Sequence, residues 1–120
     1  MQKLTKAEEE IMQMIWDQED TTVSHLIKKM KDPKPPHSSV SSIVRILEKK
    51  GFVNHRQEGR SFVYFPIVVK SDYSRFSIRR LVSNYFEGSM NELVSFLVKE
   101  NDLTLSELEQ IKEQLKSDNQ

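Results

Sequence analysis

The stretch Ser38–Pro66, SSVSSIVRILEKKGFVNHRQEGRSFVYFP, restricts the fold of this chain more than any other. Val40, Ile43, Val44 and Leu47 recur at steps of three, one and three, which places four apolar side chains on one stripe of a helix. Ser38, Ser41, Ser42, Arg45 and Lys49 form a second stripe, offset by two residues and so roughly 200° around the same helix. Gly51 follows Lys49 and Lys50, the usual composition of a helix C-terminus. Phe52 and Val53 then open a strand, and Ser61 to Phe65 supplies its partner. The connection His55-Arg56-Gln57-Glu58-Gly59-Arg60 is basic, contains a glycine turn, and is expected to carry Arg56 and Arg60 at its exposed tip. A helix followed by such a hairpin predicts the second half of a winged helix-turn-helix.

The serines decide what the exposed stripe is for. A merely solvated helix face favours Glu, Lys and Gln, because serine is a mediocre helix former. Ser38 or Ser39 is expected to cap the helix, but capping does not account for Ser41 and Ser42. Short hydroxyl side chains let a helix sit deep in a major groove, and a long guanidinium such as Arg45 makes the bidentate contact to a base. The expectation is therefore that Ser38, Ser39, Ser41, Ser42 and Arg45 lie nearest the bases of double-stranded DNA. Lys49, Lys50, His55, Arg56 and Arg60 are expected to hold phosphates.

The flanking sequence completes the motif. Thr5-Lys6-Ala7-Glu8 is a capping box, followed by Ala7, Ile11, Met14 and Ile15 as a buried stripe and Trp16 as core. Thr21 or Thr22 caps a second helix with Val23, Leu26, Ile27 and Met30 inward, and Pro33, Pro35 and Pro36 forbid its continuation. The turn from Lys31 to His37 is longer than in a simple helix-turn-helix, with Lys31 and Lys34 as further phosphate candidates. A linker around Val69 to Ser71 separates a winged-helix domain (1–70) from a helical tail (71–120). Within the tail, Tyr73, Phe76, Leu81, Val82, Tyr85 and Phe86 mark one amphipathic helix, and Gly88 ends it. Ser89 and Thr104 open two more, carrying Leu93, Val94, Leu97 and Val98, and then Leu108, Ile111 and Leu115. Three short helices do not readily close a core by themselves. The tail is expected to pair with that of a second copy through Tyr73, Phe76, Leu81, Tyr85, Phe86, Leu93, Val94, Leu97, Leu108, Ile111 and Leu115. A homodimer matches a palindromic site. The fold class is thus mainly α with a small β-hairpin, a winged helix-turn-helix domain plus a C-terminal helical dimerisation region.

Charge supports this division. The chain is formally neutral, yet 1–70 holds 12 Lys and Arg against 9 Asp and Glu, 71–120 holds 6 against 9, and 25–60 holds 9 against 3. Basic charge is concentrated where the groove-facing elements lie. The 120 residues contain no cysteine, which excludes disulfides and thiolate metal sites, and the three histidines lack metal-ligand spacing. No phosphate-binding glycine loop or zinc-protease motif occurs. Ser117-Asp118-Asn119 matches an element of penicillin-acting enzymes, but no Ser-x-x-Lys accompanies it. No enzyme activity, cofactor or metal is expected. With no apolar run of membrane-spanning length and no signal-peptide pattern at the start, the expected location is the cytoplasm.

The ordered set Leu47-Glu48-Lys49-Lys50-Gly51-Phe52-Val53, Glu58-Gly59-Arg60 and Val63-Tyr64-Phe65-Pro66 resembles the penicillinase-repressor (BlaI/MecI/CopY) family. Leu4-Thr5-Lys6-Ala7-Glu8 is similar to that family's opening, and Asp102-Leu103-Thr104 with the following acidic helix to its end. The resemblance implies a dimeric repressor on an operator of dyad symmetry, with half-sites similar to TACA and TGTA. The family often carries threonines where Ser39 and Ser42 stand and an arginine where Ile46 stands. For the beta-lactam branch of the family it further implies release when a membrane sensor with a metalloprotease domain triggers cleavage in the dimerisation region, the cleaved bond matching Phe96-Leu97 here. The best-known members have an Asn-Phe pair at that place, where this chain has Ser95-Phe96-Leu97. The copper-responsive members are expected to carry a C-terminal cysteine cluster, which this chain lacks. Two other readings stay open. One is a small-ligand-sensing winged-helix repressor with Tyr73, Phe76, Tyr85 and Phe86 around the effector. The other is a winged-helix module that binds protein.

Overall fold

The computed structural model describes residues 1–100 and 103–118. Asp102 and Asn119, which figured in the sequence motifs, lie outside the described residues. The elements run α1 (Lys6–Gln18), α2 (Val23–Lys28), α3 (His37–Lys49), β1 (Val53–Glu58), β2 (Ser61–Pro66), α4 (Lys70–Tyr85), α5 (Met90–Lys99) and α6 (Leu105–Asp118). The chain forms two compact units, Met1–Ser77 and Ile78–Gln120, whose boundary falls within α4.

The first unit is a winged helix. α1 starts where the Thr5 hydroxyl accepts from the Glu8 N–H and the Glu8 carboxylate accepts from the Thr5 N–H, the reciprocal cap that the sequence predicts. Its buried stripe is Glu8, Ile11, Met12 and Ile15, with Leu4 buried just before the helix, whereas Ala7 is exposed and Met14 only partly buried. The stripe is rotated because Glu8, a charged residue that periodicity assigns to solvent, turns inward to meet the Lys50 ammonium at 2.5 Å. Val40, Val44 and Leu47 bury the inner face of α3 against α1 and α2. Each such apolar side chain contributes about 1.5–3 kcal/mol. β1 and β2 pair antiparallel from Val53–Pro66 to Glu58–Ser61. Thr21 exchanges two backbone hydrogen bonds with Tyr64, at 2.9 and 2.7 Å, and so ties the α1–α2 connection to the wing.

α3 begins at His37, with Pro36 as its N-cap residue and no side-chain cap. None of the serines caps it. The proline presets the extended entry, and Ser38, Ser39, Ser41 and Ser42 all lie within the helix. α2 is short, ending at Lys28 before Met30, and Lys34 explains how it stops. The Lys34 ammonium donates to the carbonyls of Ile27, Lys28 and Met30, at 3.3, 3.2 and 2.7 Å, and so serves as a cationic C-terminal cap.

The expected linker at Val69–Ser71 is already helical from Lys70, and Tyr73 belongs to the first unit's core. Tyr73 is 6% exposed. Its hydroxyl accepts from the Leu4 N–H at 2.9 Å and donates to the Glu9 carboxylate at 3.2 Å. Its ring meets Phe52 edge-on at 5.3 Å and stacks on Phe76 at 5.9 Å. Trp16, core as expected, donates its indole N–H to the Val68 carbonyl at 2.8 Å. An aromatic at a helical period looks the same from sequence whether it faces a partner or its own core, and Tyr73 faces its own core.

The second unit comprises the end of α4 with α5 and α6. Ser89 and Thr104 cap α5 and α6 by accepting from the N–H groups of Glu92 and Glu107. Gly88, at φ +79°, follows α4 in the left-handed conformation that glycine adopts without strain. Val82 is its buried hydrophobic residue among those described, while Ile78, Leu81, Tyr85, Met90, Phe96, Leu105, Ile111 and Leu115 are exposed. Phe86 and Phe96 lie 5.5 Å apart. With Leu81, Tyr85, Leu93 and Leu97 they line an open groove of about 590 Å³.

Candidate nucleic-acid interface

The face of α3 opposite the buried stripe carries Ser38, Ser39, Ser42, Arg45, Ile46 and Lys49, all exposed, with Ser41 at its edge and half-buried. Core contacts of Val40, Val44 and Leu47 hold this face rigid. The Ser42 hydroxyl donates its proton to the Ser38 carbonyl at 2.8 Å. It therefore presents lone pairs outward, a geometry that accepts from an exocyclic amino group of a base.

The basic residues fall into two classes. Among the described residues no ion pair engages Arg45, Lys49 or Arg60. Lys50, by contrast, faces inward, its ammonium shared between Glu8 and the Lys3 carbonyl at 3.4 Å. Burial pushes the Glu8 carboxyl up. The Lys50 ammonium and the Thr5 N–H pull it down further, and the net shift is downward. Arg56 is not at the hairpin tip. It lies on β1 opposite Val63, bonded to Asp20 and Glu58 at 2.8 Å each, its guanidinium over the Phe65 ring. Asp20 first, then Glu58, hold it charged still more firmly than an ordinary arginine. The tip itself is Gly59-Arg60, with Gly59 at φ +62°.

His55 pairs through Nδ1 with the Glu48 carboxylate and so ties β1 to the last turn of α3. Its ring also meets Phe62 and Tyr64 at 4.9 and 5.4 Å. Burial raises the Tyr64 hydroxyl above its usual range, and the Glu48 charge adds to this while Arg45 opposes it. Between the start of α2, the start of α3 and the wing lies an open cleft of about 240 Å³. It is lined by Thr22, Ser24, His37, Arg60, Ser61 and Phe62, together with Val23 and Tyr64. The aliphatic hydroxyls of Thr22, Ser24 and Ser61 and the Arg60 guanidinium around one opening suit a phosphate. Thr22, Ser24, His37 and Ser61 were not expected from the sequence as DNA-contact residues, because they come from three separate segments that no local pattern links. Among the described residues no group of acidic, histidine or cysteine side chains is arranged to hold a metal ion. No helix among them is long and apolar enough to cross a membrane.

Comparisons with known proteins agree with this architecture. The family model described as penicillinase repressor matches residues 4–117. The chain is 29% identical over 120 residues to the penicillinase repressor of Bacillus licheniformis, covering 96% of this chain and 93% of that one. It is 26% identical over 113 residues to the methicillin resistance regulatory protein MecI of Staphylococcus aureus (strain N315), covering 92% and 90%. Among solved structures it is similar to the DNA-binding domain of the repressor BlaI, with 35% identity and a TM-score of 0.52 over 61% of this chain and 94% of that one. It is also similar to the monomeric form of Bacillus licheniformis BlaI in complex with the blaP half-operator, with 33% identity and a TM-score of 0.50 over 60% and 89%. A family match that spans nearly the whole chain, joined to the shared winged helix, shows that this chain belongs to the penicillinase repressor family.

Proposed function

We propose that the chain is a transcriptional repressor that binds a dyad-symmetric DNA operator as a homodimer, with α3 reading the major groove. One observation carries this reading. α3 buries one face in a rigid core and presents on the other a hydroxylic and cationic stripe of Ser38, Ser42, Arg45 and Lys49. The similarity to BlaI, whose structure includes a half-operator, supports it. The wing supplies Arg60, and the cleft beside it supplies hydroxyls for the sugar-phosphate backbone. Selection of bound duplexes from a randomised pool at near-physiological salt tests the proposal. A two-fold symmetric motif with half-sites about one helical turn apart is expected. No enrichment, or binding that vanishes with modest salt, overturns it.

Homodimerisation is proposed through the second unit, where Ile78, Leu81, Tyr85, Met90, Phe96, Leu105, Ile111 and Leu115 are exposed. Release is proposed to occur by cutting α5 at Phe96-Leu97, triggered by a membrane sensor with a protease domain. Phe96 is exposed, but its carbonyl accepts the Glu100 N–H at 3.0 Å, so α5 must open locally before a protease can engage an extended strand. Mass spectrometry of the protein from induced cells is expected to show fragments ending at this bond. An intact chain while the target gene is expressed would contradict the release step and leave DNA binding standing.

A further inference from the structure

We infer that Ile46 is a specificity-determining residue that reads a thymine methyl group in the operator. The inference rests on the repressor reading above. Ser39, Ser42, Ile46 and Lys49 follow one another at steps of three, four and three along the exposed face of α3. Ile46 is 42% exposed there, with Ser42 one turn before it, Lys49 one turn after it and Arg45 beside it, all exposed. A β-branched residue gains nothing at a solvated helix position, where Lys, Glu or Gln would favour the helix more. One apolar side chain ringed by hydroxyls and cations is also too small and too polar at its border for a protein-docking surface, which needs a contiguous apolar patch. DNA supplies a matching surface of the right size. Among the hydrogen-bonding groups of the major-groove base edges, the 5-methyl of thymine is the apolar group that protrudes. The flanking serines and cations meet bases and phosphates, and Ile46 covers the methyl.

Deoxyuridine differs from thymidine in lacking that methyl while keeping the base pair. The test takes a duplex recovered by the selection and replaces its thymines by deoxyuridine one at a time. The full-length protein is expected to bind about fourfold more weakly at one thymine position per half-site, the effect of one methyl group returned to water. Ile46→Ala is expected to bind the thymine and deoxyuridine duplexes alike, and Ile46→Val to keep part of the difference. Circular dichroism of both variants checks that α3 remains folded. Indifference of the wild type to every replacement, or the same fourfold loss in Ile46→Ala, overturns the inference while sequence-specific binding stands. Failure of the wild type to enrich any duplex overturns the repressor reading together with it.

Discussion

Arg56 and Arg60 lie on one hairpin and are in different electrostatic states. Arg56 is held by two carboxylates, so bonding to a phosphate requires exchanging bonds that it already makes. Arg60 sits at the turn with no ion pair among the described residues and has nothing to exchange. Arg60→Ala is therefore expected to weaken binding to all duplexes alike. It should flatten the slope of log affinity against log salt by about 0.9 for each phosphate that the variant no longer neutralises. Arg56→Ala is expected to change that slope less. Fluorescence anisotropy over a salt series measures both, and equal slopes would contradict the distinction. From sequence the two arginines look equivalent, because both flank Gly59 in a basic run. What separates them is Asp20, which lies 36 residues from Arg56 along the chain and is brought near by the Thr21–Tyr64 bridge.

Among the elements, α3 is braced at its end. Lys50 ties it to Glu8 of α1, and Gly51 at φ +84° turns the chain into the wing. The Glu8 carboxyl lies below its usual value of 4.5 in the folded protein. Folding is therefore favoured by this group at neutral pH, and its contribution is lost as pH falls below that usual value and through the folded one. Glu8→Gln is expected to cost about 1.5–3 kcal/mol at neutral pH, the worth of a hydrogen bond to a charged group. The gap to wild type should narrow as the pH is lowered past 4.5. Urea unfolding at neutral and acidic pH measures it, and a gap that stays constant would contradict the role of the pair. The apolar half of α3 was legible in the sequence, since Val40, Val44 and Leu47 follow from a 3.6-residue period alone. The hairpin and the caps at Thr5, Ser89 and Thr104 were equally local. Lys50 was not legible as a brace. Its partner is 42 residues away, and in local context it matches a lysine in a last turn facing solvent.

Across the molecule, the two units divide the chain differently from the linker that the sequence suggested. The start of α4 completes the first unit's core through Tyr73, and Val68 just before it packs on the same core, so the first unit extends to Ser77. Tyr73 could not be assigned from sequence because its hydroxyl answers the Leu4 N–H, 69 residues distant. The second unit keeps the apolar residues that periodicity marks, including Leu81, Tyr85, Phe96, Ile111 and Leu115, but leaves them exposed. Tyr85 is 75% exposed. If a second copy covers this surface, replacing Leu81 and Tyr85 by Lys is expected to shift sedimentation from dimer to monomer while the first unit stays folded. A double variant that still sediments as a dimer would place the dimer interface elsewhere.

Whether the exposed face of α3 carries the sequence preference is decided by repeating the duplex selection with Arg45→Ala beside the wild type. The variant is expected to recover a motif with the same symmetry and spacing but relaxed at one base pair in each half-site, a loss of about 1–3 kcal/mol of discrimination there. An unchanged motif from Arg45→Ala would contradict a base-reading role for Arg45 on the exposed face of α3.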